Sequence, residues 1–140
     1  MVAFETENVE FKSCFTEDIC KEVIAFANTE GGVVYVGIDN EGNVVGLDNV
    51  DREFTRITNG IRDAVMPDVT MFARCSIQDG NVVRITVSEG ANKPYYLKGK
   101  GLKPSGVYVR QGTSSVPASP DQIRRMIKES DGDAFEEMRS

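Results

Sequence analysis

Apolar and polar positions alternate over residues 8–12, Asn-Val-Glu-Phe-Lys: Val9 and Phe11 share one face and Glu10 and Lys12 the other, the period of a half-buried strand. The period then changes. Ile19, Val23, Phe26 and Ala27 recur at helical spacing, and Thr16-Glu-Asp ahead of them predicts a capped start with acids in the first turn. Gly31-Gly32 predicts the stop, because a residue with positive φ is favoured just past a helix end. The run from Val33 to Ile38 is short, β-branched and aromatic, and lies between glycines and an Asn/Asp/Gly cluster. It reads as the central strand around which the rest packs. Asp39-Asn-Glu-Gly-Asn43 predicts a hairpin turn, with a return strand through Val44 and Val45.

From Asn49 onward Val50, Phe54, Ile57, Ile61 and Val65 are spaced mostly by four, which predicts a second amphipathic helix ended by Met66-Pro67. Residues 70–78 and 81–88 flank Asp79-Gly80, a hairpin signal, and this second hairpin is expected to extend the same sheet. Gly90 to Gly106 is the longest loop candidate, of a length usually functional or mobile. Gly106 to Gln111 reads as a last strand, Gly112 to Pro117 as a small-residue turn, and Ser119-Pro-Asp-Gln as the cap of a third helix from about Pro120 to Ser130. The expected fold is α+β: a mixed, mostly antiparallel sheet built from hairpins, with about three helices packed on it. The domain is expected over residues 3–131, and the less patterned tail, 132–140, as a link to further C-terminal domains of a longer protein.

Composition narrows the chemistry. At 140 residues and 40% hydrophobic content the chain can bury a core without staples. There are no histidines, which removes Ser-His and Cys-His catalysis, histidine metal ligands and histidine pH switching. Cys14, Cys20 and Cys75 are odd in number and lack metal-site spacing, so they read as reduced thiols. No apolar run approaches membrane-spanning length and the start is no signal peptide, so a cytoplasmic setting without a membrane partner is expected. The formal net charge of −6 argues against a general polyanion binder. The distribution modifies that: Ala91 to Ala118 holds five basic residues, Lys93, Lys98, Lys100, Lys103 and Arg110, and no acidic one.

Two constellations can carry chemistry. Glu10 on the polar face of the first strand and Asp39 at the exit of the central one would meet if those strands pair side by side, and Glu5 could fold back onto them. Clustered carboxylates would hold Mg²⁺ or Mn²⁺ and activate water at a phosphodiester. Equally, Asp39 is a common turn residue, Glu10 a solvated strand position and Glu5 a terminal charge. The second constellation is Lys93-Pro-Tyr-Tyr-Leu-Lys-Gly-Lys-Gly-Leu-Lys103 with Tyr108 and Arg110. Its lysines, with Lys12 and Arg110, suit phosphates, and Tyr95 or Tyr96 suits stacking on bases. The other reading is a solvated loop in which one of these tyrosines covers the core. Gly112-Thr-Ser-Ser115 could lend donors to an anion or simply connect two elements. P-loop spacing is absent, which disfavours ATP hydrolysis.

Taken together, Glu5-Thr-Glu-Asn-Val-Glu-Phe-Lys12, Ala25-Phe-Ala-Asn-Thr-Glu-Gly-Gly32, Tyr35-Val-Gly-Ile-Asp39 with Gly42 and Val45-Gly46, Lys93-Pro-Tyr-Tyr96 and Tyr108-Val-Arg-Gln-Gly112 resemble the Schlafen/AlbA-type domain family over about residues 5–130. In prokaryotes this family is often filed under divergent AAA or helicase-related names, labels for which this sequence shows no motif. Its DNA-binding label rests largely on likeness to chromatin proteins and on fused regulatory domains. The resemblance implies a DNA- or RNA-binding, non-enzymatic module of a prokaryotic transcriptional regulator, with further domains behind it. In animal Schlafen proteins a related fold cleaves structured RNA with a glutamate, a second glutamate five residues on and a downstream aspartate. Glu5, Glu10 and Asp39 match those positions, which makes a metal-dependent endoribonuclease using Mg²⁺ or Mn²⁺ the alternative. Those enzymes pair two lobes into a clamp, so a homodimer would have to replace the second lobe. A dimerisation or interaction module is the third class.

Overall fold

The computed structural model describes residues 4–139, with side chains described for 4–130. Strands β1 (Val9–Lys12), β2 (Gly32–Val36), β5 (Val82–Val87) and β4 (Ala73–Gln78) form a four-stranded sheet in the order β1-β2-β5-β4. β1 runs parallel to β2, with Glu10 opposite Val34 and Lys12 opposite Val36, while β5 is antiparallel to both β2 and β4. The apolar run is thus an interior strand, and the Asp79-Gly80 hairpin extends its sheet as expected. Two short antiparallel pairs complete the β structure: β3 (Val65–Met66) with β6 (Tyr96–Leu97), and β7 (Tyr108–Gln111) with β8 (Ser114–Pro117). The architecture is the α+β one the patterning predicts, with three helices.

Helix α1 (Asp18–Asn28) is the most deeply placed element: Ile19, Val23, Ile24, Ala25, Phe26 and Ala27 are fully buried. It shares one core with Val34, Val36, Val83 and Ile85 from the sheet and with Ile57 and Ile61 from helix α2 (Val50–Ala64). Burying an aliphatic or aromatic side chain stabilises by about 1.5–3 kcal/mol, so this cluster is the main cohesive term. Gly31 ends α1 with φ +81°, donating its amide to the Phe26 carbonyl at 2.8 Å. Thr16 does not cap the helix with its side chain; its backbone carbonyl accepts from the Ile19 amide instead. Helix α3 (Pro120–Arg139) opens with a reciprocal capping box: Ser119 Oγ accepts from the Gln122 amide at 3.1 Å and Gln122 Oε1 from the Ser119 amide at 2.8 Å. The helix runs on past Ser130 into the segment read as a tail.

Two expectations are corrected. The return of the first hairpin is a single bridge, Ile38 to Val44, because Gly37, at φ +109°, turns its carbonyl to accept both the Val45 and the Gly46 amides at 2.9 Å. Residues 114–117 are a strand, since the turn at Gly112 (φ +61°) folds them back onto β7. No described helix is long and apolar enough to cross a membrane. The three cysteines are free, and burial pushes the Cys20 and Cys75 thiols up to about 11, so both stay protonated at neutral pH.

Candidate nucleic-acid interface

The Ala25-Phe-Ala-Asn-Thr segment at the end of α1 holds the chain on both sides of the lysine-rich loop. Asn28, itself buried, donates Nδ2–H to the carbonyls of Tyr95 and Tyr108 at 3.0 Å each, and its Oδ1 accepts from the Tyr95 amide at 2.7 Å. Thr29 donates its hydroxyl to the Ala25 carbonyl at 2.7 Å and accepts from the Arg110 amide at 3.0 Å. These two side chains tie both ends of the 95–110 segment to one helix terminus. Sequence reading missed this role; the signal was a buried-helix stripe that ends in two polar residues rather than one.

Held in this way, the loop from Leu97 to Val107 is ordered by its own backbone. Lys100 and Gly101 amides donate to the Leu97 carbonyl, Gly106 and Val107 amides to that of Lys103, and the Lys98 amide to that of Ala64. A Cβ on Gly106 would lie 2.2 Å from the Gly101 carbonyl oxygen, so only glycine permits this closure. Lys98, Lys100 and Lys103 are exposed at its tip beside Leu102, and no ion pair holds them among the described residues. Behind the tip, a groove of about 760 Å³ runs between the loop, α1 and the end of α2, lined by Lys21, Lys98, Lys100 and Leu97 together with the carboxylates Glu17 and Asp63.

The other members of the basic set are placed differently. Tyr95 is fully buried, with its hydroxyl accepting from the Asn92 amide at 3.1 Å, so it is the tyrosine that covers the core and is closed to base stacking. Tyr96 is half-buried in β6 against the cluster of Val107 and Ala118. Lys93 is paired with Glu89, and Lys12 lies 3.9 Å from Glu22.

Arg110 is a correction to the phosphate-contact expectation, for its side chain is 3% exposed. Its guanidinium lies over the Phe26 ring and spends all its donors internally. Nε–H goes to the Glu7 carbonyl, Nη2 to the carbonyls of Thr6 and Val9, and Nη1 to Ser115 Oγ at 3.2 Å and Glu10 Oε1 at 2.7 Å. Glu22 Oε2 stands 3.7 Å from the same Nη1. Arg110 therefore clamps the first strand and the segment before it onto β7.

Glu5 joins this cluster, accepting from the Phe11 amide at 3.2 Å. Its carboxyl is raised above the ordinary range, first by burial and then by a hydrogen bond shared with Glu10; the Phe11 amide and Arg110 oppose the rise. Asp39 does not join. β1 and β2 pair side by side, but in parallel: Glu10 stands opposite Val34, and Asp39 follows five residues later, beyond the end of β2 and the turn at Gly37. Its carboxylate instead accepts from the Glu41 and Asn43 amides at 2.9 Å each, and the Asn43 amide foremost holds it below the usual aspartate range. A hard cation needs several oxygens converging at about 2.0–2.6 Å. Glu10 faces a guanidinium and Asp39 faces its own turn, and no group of three or more His, Cys, Asp or Glu among the described residues is placed to hold a metal ion. The trio does not fit Mg²⁺ or Mn²⁺.

An α+β domain with a four-stranded mixed sheet, a clamped N-terminal strand and a basic loop is what the geometry defines. The family model described as Schlafen, AlbA_2 matches residues 5–119, and the chain belongs to this family. Two solved structures share the fold. One, from Corynebacterium diphtheriae, is 18% identical with a TM-score of 0.59, the match covering 87% of this chain and 24% of that one. The chain thus spans about a quarter of that relative's length. The other is the N-terminal domain of a protein from Nitrosomonas europaea described as related to the ATP-dependent DNA helicase RecG. It is 23% identical with a TM-score of 0.52, the match covering 81% of this chain and 83% of that one.

Proposed function

We propose that this domain binds nucleic acid, DNA in the first instance, as the recognition module of a prokaryotic regulatory protein, and that it does so through the lysine loop. The observation that carries the reading is the exposed, backbone-ordered triad Lys98, Lys100 and Lys103 in a stretch from Ala91 to Ala118 without one carboxylate. On a chain with a formal net charge of −6, such a segment concentrates positive potential where a phosphate backbone can reach it. Family membership and the helicase-related description of one structural relative support the same reading. Hydrolysis of RNA gains no support from the carboxylates, because Asp39 stays apart from Glu5 and Glu10.

A salt titration of binding tests this, comparing the natural chain with a Lys98/Lys100/Lys103 triple alanine variant. Each phosphate contact contributes roughly 0.7–0.9 to the slope of log affinity against log salt, so the variant's slope should fall by about 2 to 3 with its thermal midpoint unchanged. An unaltered slope and affinity would remove the loop from the interface.

A further inference from the structure

One face of the four-stranded sheet carries the main core; the other is fully buried at Phe11 and Val82, half-buried across the middle of β2 and β5 and exposed at Arg74 and Ser76 of β4. Strand register sorts its residues: Val34, Val36, Val83 and Ile85 point into the core with α1 and α2, and the alternate positions point the other way. On that second face Val33 and Tyr35 of β2 stand beside Thr86 and Arg84 of β5, and these beside Arg74 and Ser76 of β4. The first four are half-buried and the last two exposed. Phe11, Ile38 and Val82 close one corner as a small separate cluster, with the Tyr35 ring 6.0 Å from that of Phe11.

The chemistry of this face is uneven. Arg84 and Arg74 lie on neighbouring strands, Arg84 Nε donates to Thr86 Oγ1 at 3.2 Å, and no ion pair holds either arginine among the described residues. No strand residue of that face is acidic, although the chain has 22 acidic residues against 16 basic ones. A protein surface normally carries both signs of charge interspersed. Here Arg84 stands directly across from Tyr35 and Arg74 diagonally beyond it on β4, beside the Thr86 and Ser76 hydroxyls, and no carboxylate among the described residues pairs with either guanidinium. Arginine with an aromatic ring on a flat platform matches unpaired bases and their phosphates, because every base offers a π-face and the backbone a regular negative charge.

We propose that the open sheet face is a second nucleic-acid surface, specific for single strands: Tyr35 stacks on a base while Arg84 and Arg74 hold the flanking phosphates. The proposal goes beyond the lysine loop and does not need it. Duplex DNA, with its bases stacked inside, gains nothing from Tyr35, so this face discriminates strandedness where the loop reads charge alone.

Fluorescence anisotropy with a labelled oligothymidylate and a duplex of equal length tests it, using the full chain and the variants Arg74→Gln/Arg84→Gln, Tyr35→Leu and the lysine-loop triple alanine. Tyr35→Leu keeps apolar contact with Phe11, and thermal midpoints of all variants confirm folding. The double glutamine variant should lose about tenfold in single-strand affinity and roughly 1.4 in salt slope, at ~0.7 per contact. Tyr35→Leu should lose about as much on the single strand and nothing on the duplex. Single-strand binding unchanged in both sheet variants overturns this proposal and leaves the loop reading standing. Loss in the sheet variants with an unaffected loop variant supports it and overturns the loop instead. A dimer in sedimentation that dissociates on Arg84→Gln, with oligonucleotide affinity unchanged, overturns it by showing that a second copy covers the face.

Discussion

Among single residues, Arg110 and Asn28 carry the most. Arg110→Ala would leave Glu10 buried without its partner and release three carbonyls of the N-terminal segment, and breaking such a pair costs about 3–5 kcal/mol. Arg110→Lys should recover only part of that, since an ammonium has three donors against five. Urea denaturation measures both, and near-natural stability of the alanine variant would show that the clamp contributes little. Asn28→Ala strands the Tyr95 amide and two carbonyls, an expected loss of about 2–4 kcal/mol.

The carboxyls have opposite pH signatures. Burial raises Glu5 in the folded state, so its protonated form is favoured there and stability falls as pH rises through the window between the ordinary glutamate value and the raised one. Asp39 is depressed by turn amides, so its contribution is present above the ordinary aspartate value and is lost as pH falls through the depressed one. Thermal midpoints from about pH 3 to about pH 7 should show Asp39→Asn approaching the natural chain at the acid end, and Glu5→Gln gaining on it toward neutrality. Parallel curves for all three chains would contradict both assignments.

For whole elements, the turns decide. Gly31 combines φ +81° with an approach in which a Cβ would stand 2.7 Å from the Val87 carbonyl oxygen, so Gly31→Ala strains both the end of α1 and the seam between β2 and β5. A drop of at least about 1–3 kcal/mol is expected from the backbone conformation alone. The lysine loop behaves oppositely: Gly99 has open space around its Cα and no positive φ, so Gly99→Ala should leave the thermal midpoint within a degree or so, about ±0.5 kcal/mol in stability. That contrast separates a loop ordered by Gly106 and by carbonyl acceptors from one ordered by every glycine in it. The same physics explains the missed strand β8, whose Ser114-Ser-Val-Pro has weak strand preference and pairs only because β7 lies ready beside it.

Across the whole molecule, stability is distributed unevenly. α1, β2 and β5 share the central core, whereas residues 40–46 are tied by a few turn hydrogen bonds and β8 by one short pairing. Amide exchange should be slowest in α1, β2 and β5 and fastest in 40–46 and 114–117. Uniform protection would mean that the β7–β8 pair is as integral as the main sheet.

Local pattern alone determined the helices, the interior strand, the Asp79-Gly80 hairpin and the α+β class, because hydrophobic period, caps and turn residues act over a few positions. It also located the basic loop and the family resemblance, which depend on order along the chain. Tertiary structure alone decided which charges face water. Arg110 and Lys98 are equally basic in sequence, yet one is folded into a buried clamp with Glu10 and the other left exposed. Glu10 lies on β1 and Asp39 just beyond the end of the neighbouring β2, yet a parallel register carries them apart. The open sheet face was hidden for the same reason: Tyr35, Arg84 and Arg74 are far apart in the chain, and only β-pairing makes them neighbours.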